Sequence, residues 1–147
     1  MDIRVQEAAF EFGAEAERFA QGHAHIGAVV TFTGIVRDLV GGGLDRMEIE
    51  HYPGMTERAL AKQAEQAAAR FQLGDVLVIH RFGRLKPGEM IMMVATAAPH
   101  RADAFQGAEF LMDYLKSRAP FWKKEFTADG AEWVAAKSED EDALSRW

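Results

Sequence analysis

No cysteine occurs among the 147 residues. That excludes disulfides, thiolate metal ligands, a cysteine nucleophile and a persulfide carried by this chain itself. Long apolar runs are missing too. None approaches the roughly 20 residues that a membrane span needs. Met1-Asp2-Ile3-Arg4 lacks the basic-then-apolar pattern of a secretory signal, so the expected location is cytoplasmic. Positive charge is the minority: 17 Lys and Arg stand against 23 Asp and Glu, a net charge of −6. General nucleic-acid binders are usually basic overall, which counts against that class. No GxSxG, no HExxH and no paired-carboxylate arrangement is found. Gly41-Gly42-Gly43 is not a phosphate loop, because no Gly-Lys-Ser/Thr follows and strands flank it.

What is present is the balance of a globular protein, 48% hydrophobic and 27% charged, of a length that suits one domain over residues 1–147. Ile3-Arg4-Val5 reads as a short strand and Ala14 to Ala20 as a helix. Gly27 to Arg37 is the clearest strand, rich in β-branched residues, with Gly34 marking a bulge or a close backbone approach. Asp38 to Gly43 reads as a hairpin tip. Met47 to Tyr52 alternates apolar and polar, as a strand with one wet face does. Thr56 is the expected N-cap of a helix to Phe71 that buries Leu60, Ala64, Ala67, Ala68 and Phe71. Val76 to Phe82, Glu89 to Ala97 and Ala131 to Val134 are further strands, and acidic Ser138 to Asp142 is a solvated surface. The order β-α-β-β-α-β-β-α-β predicts an α+β fold with a mixed or antiparallel sheet and packed helices.

The stretch from Pro99 to Glu125 holds the chemistry. Phe105, Ala108, Met112 and Leu115 recur at helical spacing as a buried stripe. Lys116 lies on the flank of that stripe, one turn beyond Met112. Ala119-Pro120 ends the helix, since the residue before proline is pushed out of the α region. Lys123 and Lys124 come next. Five of the 17 basic side chains fall in this stretch, and a local cationic site on an acidic protein fits a small anion better than a long polyanion. Lys116 and Lys123 cannot share one helix face across the proline; they converge only if the chain folds back. Lysine suits proton transfer because crowding by cations, or desolvation, releases its proton. Arg37, His100 and Arg101 are candidate anion contacts, and Phe121 and Trp122 candidate walls. His23 and His25 form an HxH pair without an evident third ligand and read as loop residues. His51 and His80 read as half-buried strand histidines. No metal or other cofactor is expected.

GAVVTFTGIVR, EIEHYPGMTERAL, VIHRFGRLKPGE, PHRADAF and YLKSRAPFWKKE, in that order, resemble the catalytic (large) subunit family of molybdopterin synthase, over nearly the whole chain. The resemblance implies an α/β hammerhead fold and a homodimer. It also implies a small ubiquitin-like sulfur-carrier subunit at each end, making a heterotetramer. The carrier's C-terminal Gly-Gly thiocarboxylate enters the pocket of the large subunit, and sulfur passes to cyclic pyranopterin monophosphate to form the molybdopterin dithiolene. On the matching positions, Lys116 and Lys123 correspond to the family's catalytic lysines. Ile35, Val36, Arg37, His100, Arg101, Lys124 and Glu125, with both lysines, correspond to its substrate contacts. Isoleucine at 35 offers only backbone and apolar contact, and Pro99 removes a backbone donor at the helix start. Lys116, held by the apolar stripe, is expected to be the more essential amine. Lys123, beyond the proline break, is expected to be less constrained. The alternatives are a phosphate-binding hydrolase or transferase that works without a protein partner, and a non-catalytic RNA- or anion-binding module using Phe121, Trp122 and the lysines.

Overall fold

A computed structural model describes residues 1–135 and 137–147. The chain runs β1 (Asp2–Gln6), α1 (Phe12–Ala20), β2 (Ala28–Ile35), β3 (Arg46–His51), α2 (Met55–Phe71) and β4 (Asp75–Arg81). It continues through β5 (Gly83–Leu85), β6 (Met90–Ala98), α3 (Arg101–Ser117), β7 (Phe121–Thr127), β8 (Gly130–Trp133) and α4 (Ser138–Leu144). The strands form two sheets, ordered β1-β4-β6-β2 and β5-β3-β7-β8. Only the β1–β4 pair is parallel among the described residues. The expected α+β class with a mixed sheet is what the chain adopts.

β4 and β6 are apolar at nearly every position because both of their faces are covered. Successive strand side chains point to opposite faces. Val76 and Val78 of β4, with Met92 and Val94 of β6, therefore join the main core with Leu60, Ala64, Phe71 and Leu111 from α2 and α3. Leu77, Ile79, Met93, Ala95 and Ala97 face the other way and pack with Phe19, Phe12 and Ala16 of α1. Arg4 on β1 ties α1 down through Glu15, with Nη1 donating to Oε1 at 2.9 Å and Nη2 to Oε2 at 2.6 Å. At the other end of the chain, Trp147 meets Phe71 and Phe110 edge-on at 5.6 and 5.5 Å. Its Nε1 donates to Asp113 Oδ2 at 2.6 Å.

Several expectations are corrected. Phe105 is not in the buried stripe of α3; it is 62% exposed, while Ala104, Gly107, Ala108 and Leu111 face the core. Small residues occupy that face because the helix lies close to its neighbours: a Cβ at Gly107 would sit 2.8 Å from Leu73 Cδ1, and Thr96 Oγ1 donates to the Ala104 carbonyl at 2.7 Å. Thr56 is not the N-cap of α2. Gly54 holds that position, its N–H donating to Glu57 Oε2 at 2.7 Å. Thr56 lies in the first turn, where Oγ1 donates back to the Tyr52 carbonyl at 2.8 Å. The triglycine is not a hairpin tip, because β2 and β3 belong to different sheets. It carries the chain between them with φ of +87, +85 and +100°, and Asp38 Oδ1 accepts from the N–H groups of Leu39 and Leu44 across it. Phe121 to Thr127 is a full strand, β7, and the acidic Ser138 run is helical, α4, with no buried residue.

The start of α3 is pinned by a backbone approach. Gly27 N–H donates to the Ala98 carbonyl at 3.1 Å, and a Cβ at Gly27 would stand 2.5 Å from the Pro99 carbonyl oxygen. Backbone cannot swing aside as a side-chain tip can. Gly27→Ala is therefore expected to destabilise the fold by about 1–3 kcal/mol, read as a lower urea midpoint at unchanged slope. An unchanged midpoint would show that this contact does not hold the helix.

Candidate active site

Three elements meet where β2 ends, α3 ends and β7 begins. β2 pairs with β6 in steady register from Ala28↔Ala98 to Gly34↔Met92, then jumps to Ile35↔Met90. That bulge lies at the expected glycine and turns the strand end toward α3. α3 runs back along β6, so its last turn lies over the start of that strand. After Ala119-Pro120 the chain reverses into β7, whose Phe121 pairs with His51 and Lys123 with Ile49. A small cavity of about 60 Å³ opens here, lined by Phe32, Gly34, Ile35, His80, Ile91, Met92, Met112, Leu115, Lys116 and Lys123. The two lysines expected to converge do so, each from its own side of the proline.

The placement of the amines reverses the expectation about which is constrained. Lys116 is exposed at the last turn of α3. Lys123 is held between β3 and β8 on the interior of the second sheet and is only partly exposed. Neither makes an ion pair or side-chain hydrogen bond among the described residues. Burial pulls the Lys123 ammonium down to about 8, the positive charge of Lys116 adds to that, and Asp140 on α4 opposes it. The proline break does not loosen Lys123, because strand pairing holds the residues beyond it.

His80 lines the same cavity, a placement the sequence reading missed. β4 alternation carries Val76, Val78 and then His80 on the α3 side of the sheet, a signal present in the period-two pattern. The ring is 3% exposed. Phe121 stacks on it at 3.7 Å and 15°, and Nδ1 lies 2.8 Å from the Arg81 carbonyl. Burial pushes its pKa down to about 3, against the pull of that carbonyl and with the charges of Lys123, His51 and Lys116. The imidazole is therefore neutral at physiological pH. Phe32 and Met112 complete the apolar walls.

The remaining expected contacts divide by position. Ile35 is 51% exposed and edges the cavity, whereas Val36 is buried at 2%. Arg37 is exposed just past the end of β2 and does not line the cavity. Lys124 alternates to the opposite face of β7, its Nζ 5.0 Å from the Trp133 ring centre and 5.6 Å from that of Phe126. Glu125 lines a neighbouring cleft with the triglycine segment and the β7–β8 turn. His100 caps α3 without a side-chain hydrogen bond, and Arg101 is its first residue; both are exposed. Arg101 and Lys116 mark opposite ends of that helix, about 22 Å apart along its axis. One chain thus brings Lys116, Lys123 and Ile35 together and leaves His100 and Arg101 at the far end.

The lining has two amines, one neutral imidazole and no carboxylate, so it suits an anion. The cavity is narrow, about 60 Å³. No group of three or more His, Asp and Glu side chains among the described residues is placed to hold a metal ion.

The family described as "MoaE protein" matches residues 5–118. The chain is 70% identical over 147 residues to the molybdopterin synthase catalytic subunit of Cereibacter sphaeroides, covering 100% of both. It is 57% identical to that of Ralstonia nicotianae, over 99% of this chain and 83% of the relative. The solved structure of the molybdopterin biosynthesis MoaE protein from Burkholderia ambifaria superposes with a TM-score of 0.85 at 52% identity, covering 99% of this chain and 97% of that one. This chain belongs to the MoaE family of molybdopterin synthase catalytic subunits.

Proposed function

We propose that the chain transfers sulfur from the C-terminal thiocarboxylate of a small carrier subunit to cyclic pyranopterin monophosphate, building the molybdopterin dithiolene. The observation that carries this reading is the pairing of Lys116 and Lys123 in one apolar-walled cavity free of carboxylates. An extended Gly-Gly tail, lacking side chains, fits so narrow an opening, and the thiocarboxylate anion meets two cations there. A chain without cysteine has to receive its sulfur from a partner, and its relatives are named as subunits. In this reading the pterin lies at the mouth of the cavity, beside Ile35 and Arg37. Residues 1–147 act as one domain in this reading, in the cytoplasm; no helix among the described residues is long and apolar enough to cross a membrane.

Lys123 is the amine suited to proton transfer. With a pKa of about 8, roughly a tenth of it is neutral at pH 7. Lys116, exposed at the mouth, serves as the cation that holds the thiocarboxylate. A base must be deprotonated, so single-turnover dithiolene formation should rise as pH passes upward through about 8. Arginine does not deprotonate in this range. Lys123→Arg should therefore lose on the order of 10²–10⁴-fold, as Lys123→Ala does, and its remaining rate should lack that rise. Lys116→Arg should keep more activity than Lys116→Ala. Substantial activity in Lys123→Arg, with the rise intact, would remove Lys123 as the base.

His100 and Arg101 reach a lysine cavity only from a second copy of the chain, given the length of α3. In the implied homodimer each site would take its lysines from one protomer and its phosphate contacts from the other. Arg101→Ala and Lys123→Ala should each be inactive alone. Dissociated and reassociated together, they should regain roughly a quarter of wild-type activity, because half of the dimers are mixed and each mixed dimer has one intact site. No recovery, with mixed dimers confirmed by mass, would place both functions in one protomer.

A further inference from the structure

His80 is a buried titratable group that the proposed reaction leaves without a task. Its surroundings fix three properties. The Arg81 carbonyl can only accept a hydrogen bond, so the contact at 2.8 Å places the ring proton on Nδ1. Nε2 then presents a lone pair. Phe121, stacked at 3.7 Å, fixes the plane of the ring. Nε2 has no hydrogen-bond partner among the described residues. The ring lines the cavity that also holds Lys116 and Lys123.

The Lys123 amine has the complementary need. It is a donor with no ion pair and no side-chain acceptor among the described residues, held in a desolvated site. Phe121 and Lys123 are two residues apart on β7 and therefore share one face of it. The aromatic ring that covers His80 and the amine that needs an acceptor are thus delivered side by side. Charged and titratable groups acting on this pair come from each surrounding element: Lys116 from α3, His51 from β3 and Asp140 from α4.

We propose that His80 is a positioning residue for Lys123: its Nε2 lone pair accepts a hydrogen bond from the Lys123 amine and holds Nζ against the cavity. The pairing does not move a proton to the ring, since a neutral, buried imidazole is the weaker base. It supports the ammonium form and directs the amine's remaining valences at the bound anion. This inference takes Lys123 as the working amine and so rests on the proposed function, but its first test does not.

The test is the titration of the Lys123 amine, followed by NMR of labelled lysine in the full-length protein, in wild type, His80→Phe and His80→Gln. Losing the acceptor should lower the Lys123 pKa by about 0.5–1 unit in His80→Phe, the equivalent of one hydrogen bond. The glutamine carbonyl should restore most of it. In the reconstituted assay the pH rise should move down by the same amount in His80→Phe and return in His80→Gln. A merely structural histidine would change melting temperature without moving that limb. An unchanged Lys123 titration in folded His80→Phe overturns the proposal. Should His80→Phe not fold, Lys123→Met read by the imidazole nitrogen resonances decides: Nε2 must shift while Nδ1 stays, and an unmoved Nε2 overturns it. A shifted titration without any change in the pH profile would uphold the pairing and reject Lys123 as the base.

Discussion

The two-sided burial of β4 and β6 governs everything built around them. Once α1 covers one face of the first sheet and α2 with α3 the other, every position on these strands is committed to a side. Even-numbered residues of β4 face α3, and His80 is the last of them. A shift of one residue would send His80 to the α1 side and bring Ile79 to the cavity. The buried histidine is thus fixed by the register that builds the core, and its neutrality comes from burial, which disfavours the charged ring.

α3 translates that core into a site. Its inner face is small, with Ala104, Gly107 and Ala108 buried, so the helix axis lies close to β6 and β2. The helix is long enough to carry Arg101 to one end of the sheet and Lys116 to the other. The same rigidity that aims Lys116 at the cavity keeps His100 and Arg101 away from it. Within one chain, the two ends of this helix cannot serve the same cavity.

Charge is a consequence of packing here. The chain is acidic overall at −6, yet its cavity has no carboxylate and two amines. Desolvation then makes the two amines unlike. The one on the strand is drawn toward neutrality by burial and by its neighbour's charge, while the one on the helix end stays in water. Two residues of one type acquire different environments from their depth alone.

Local chemistry in the chain is enough to establish the α+β class, most strand and helix positions, the bulge at Gly34 and the chain reversal at Pro120. Each rests on neighbouring residues: period-two or helical spacing, a glycine without Cβ, a proline that forbids the preceding α conformation. The lysines and the family are legible as well, because those motifs are contiguous. Contacts between distant segments are not legible in this way. β7 is hidden in the sequence, since Phe121-Trp122-Lys123-Lys124-Glu125 becomes a strand only by pairing with β3 and β8. Phe105 is misplaced by periodicity because helical spacing gives a stripe but not which side of it meets the sheet. The lysine beyond the proline is the more constrained of the two, because depth is a property of the packed sheet and not of distance from a proline. His80 reads as an ordinary strand histidine until tertiary packing sets it between Phe121 and the cavity that Lys123 also lines.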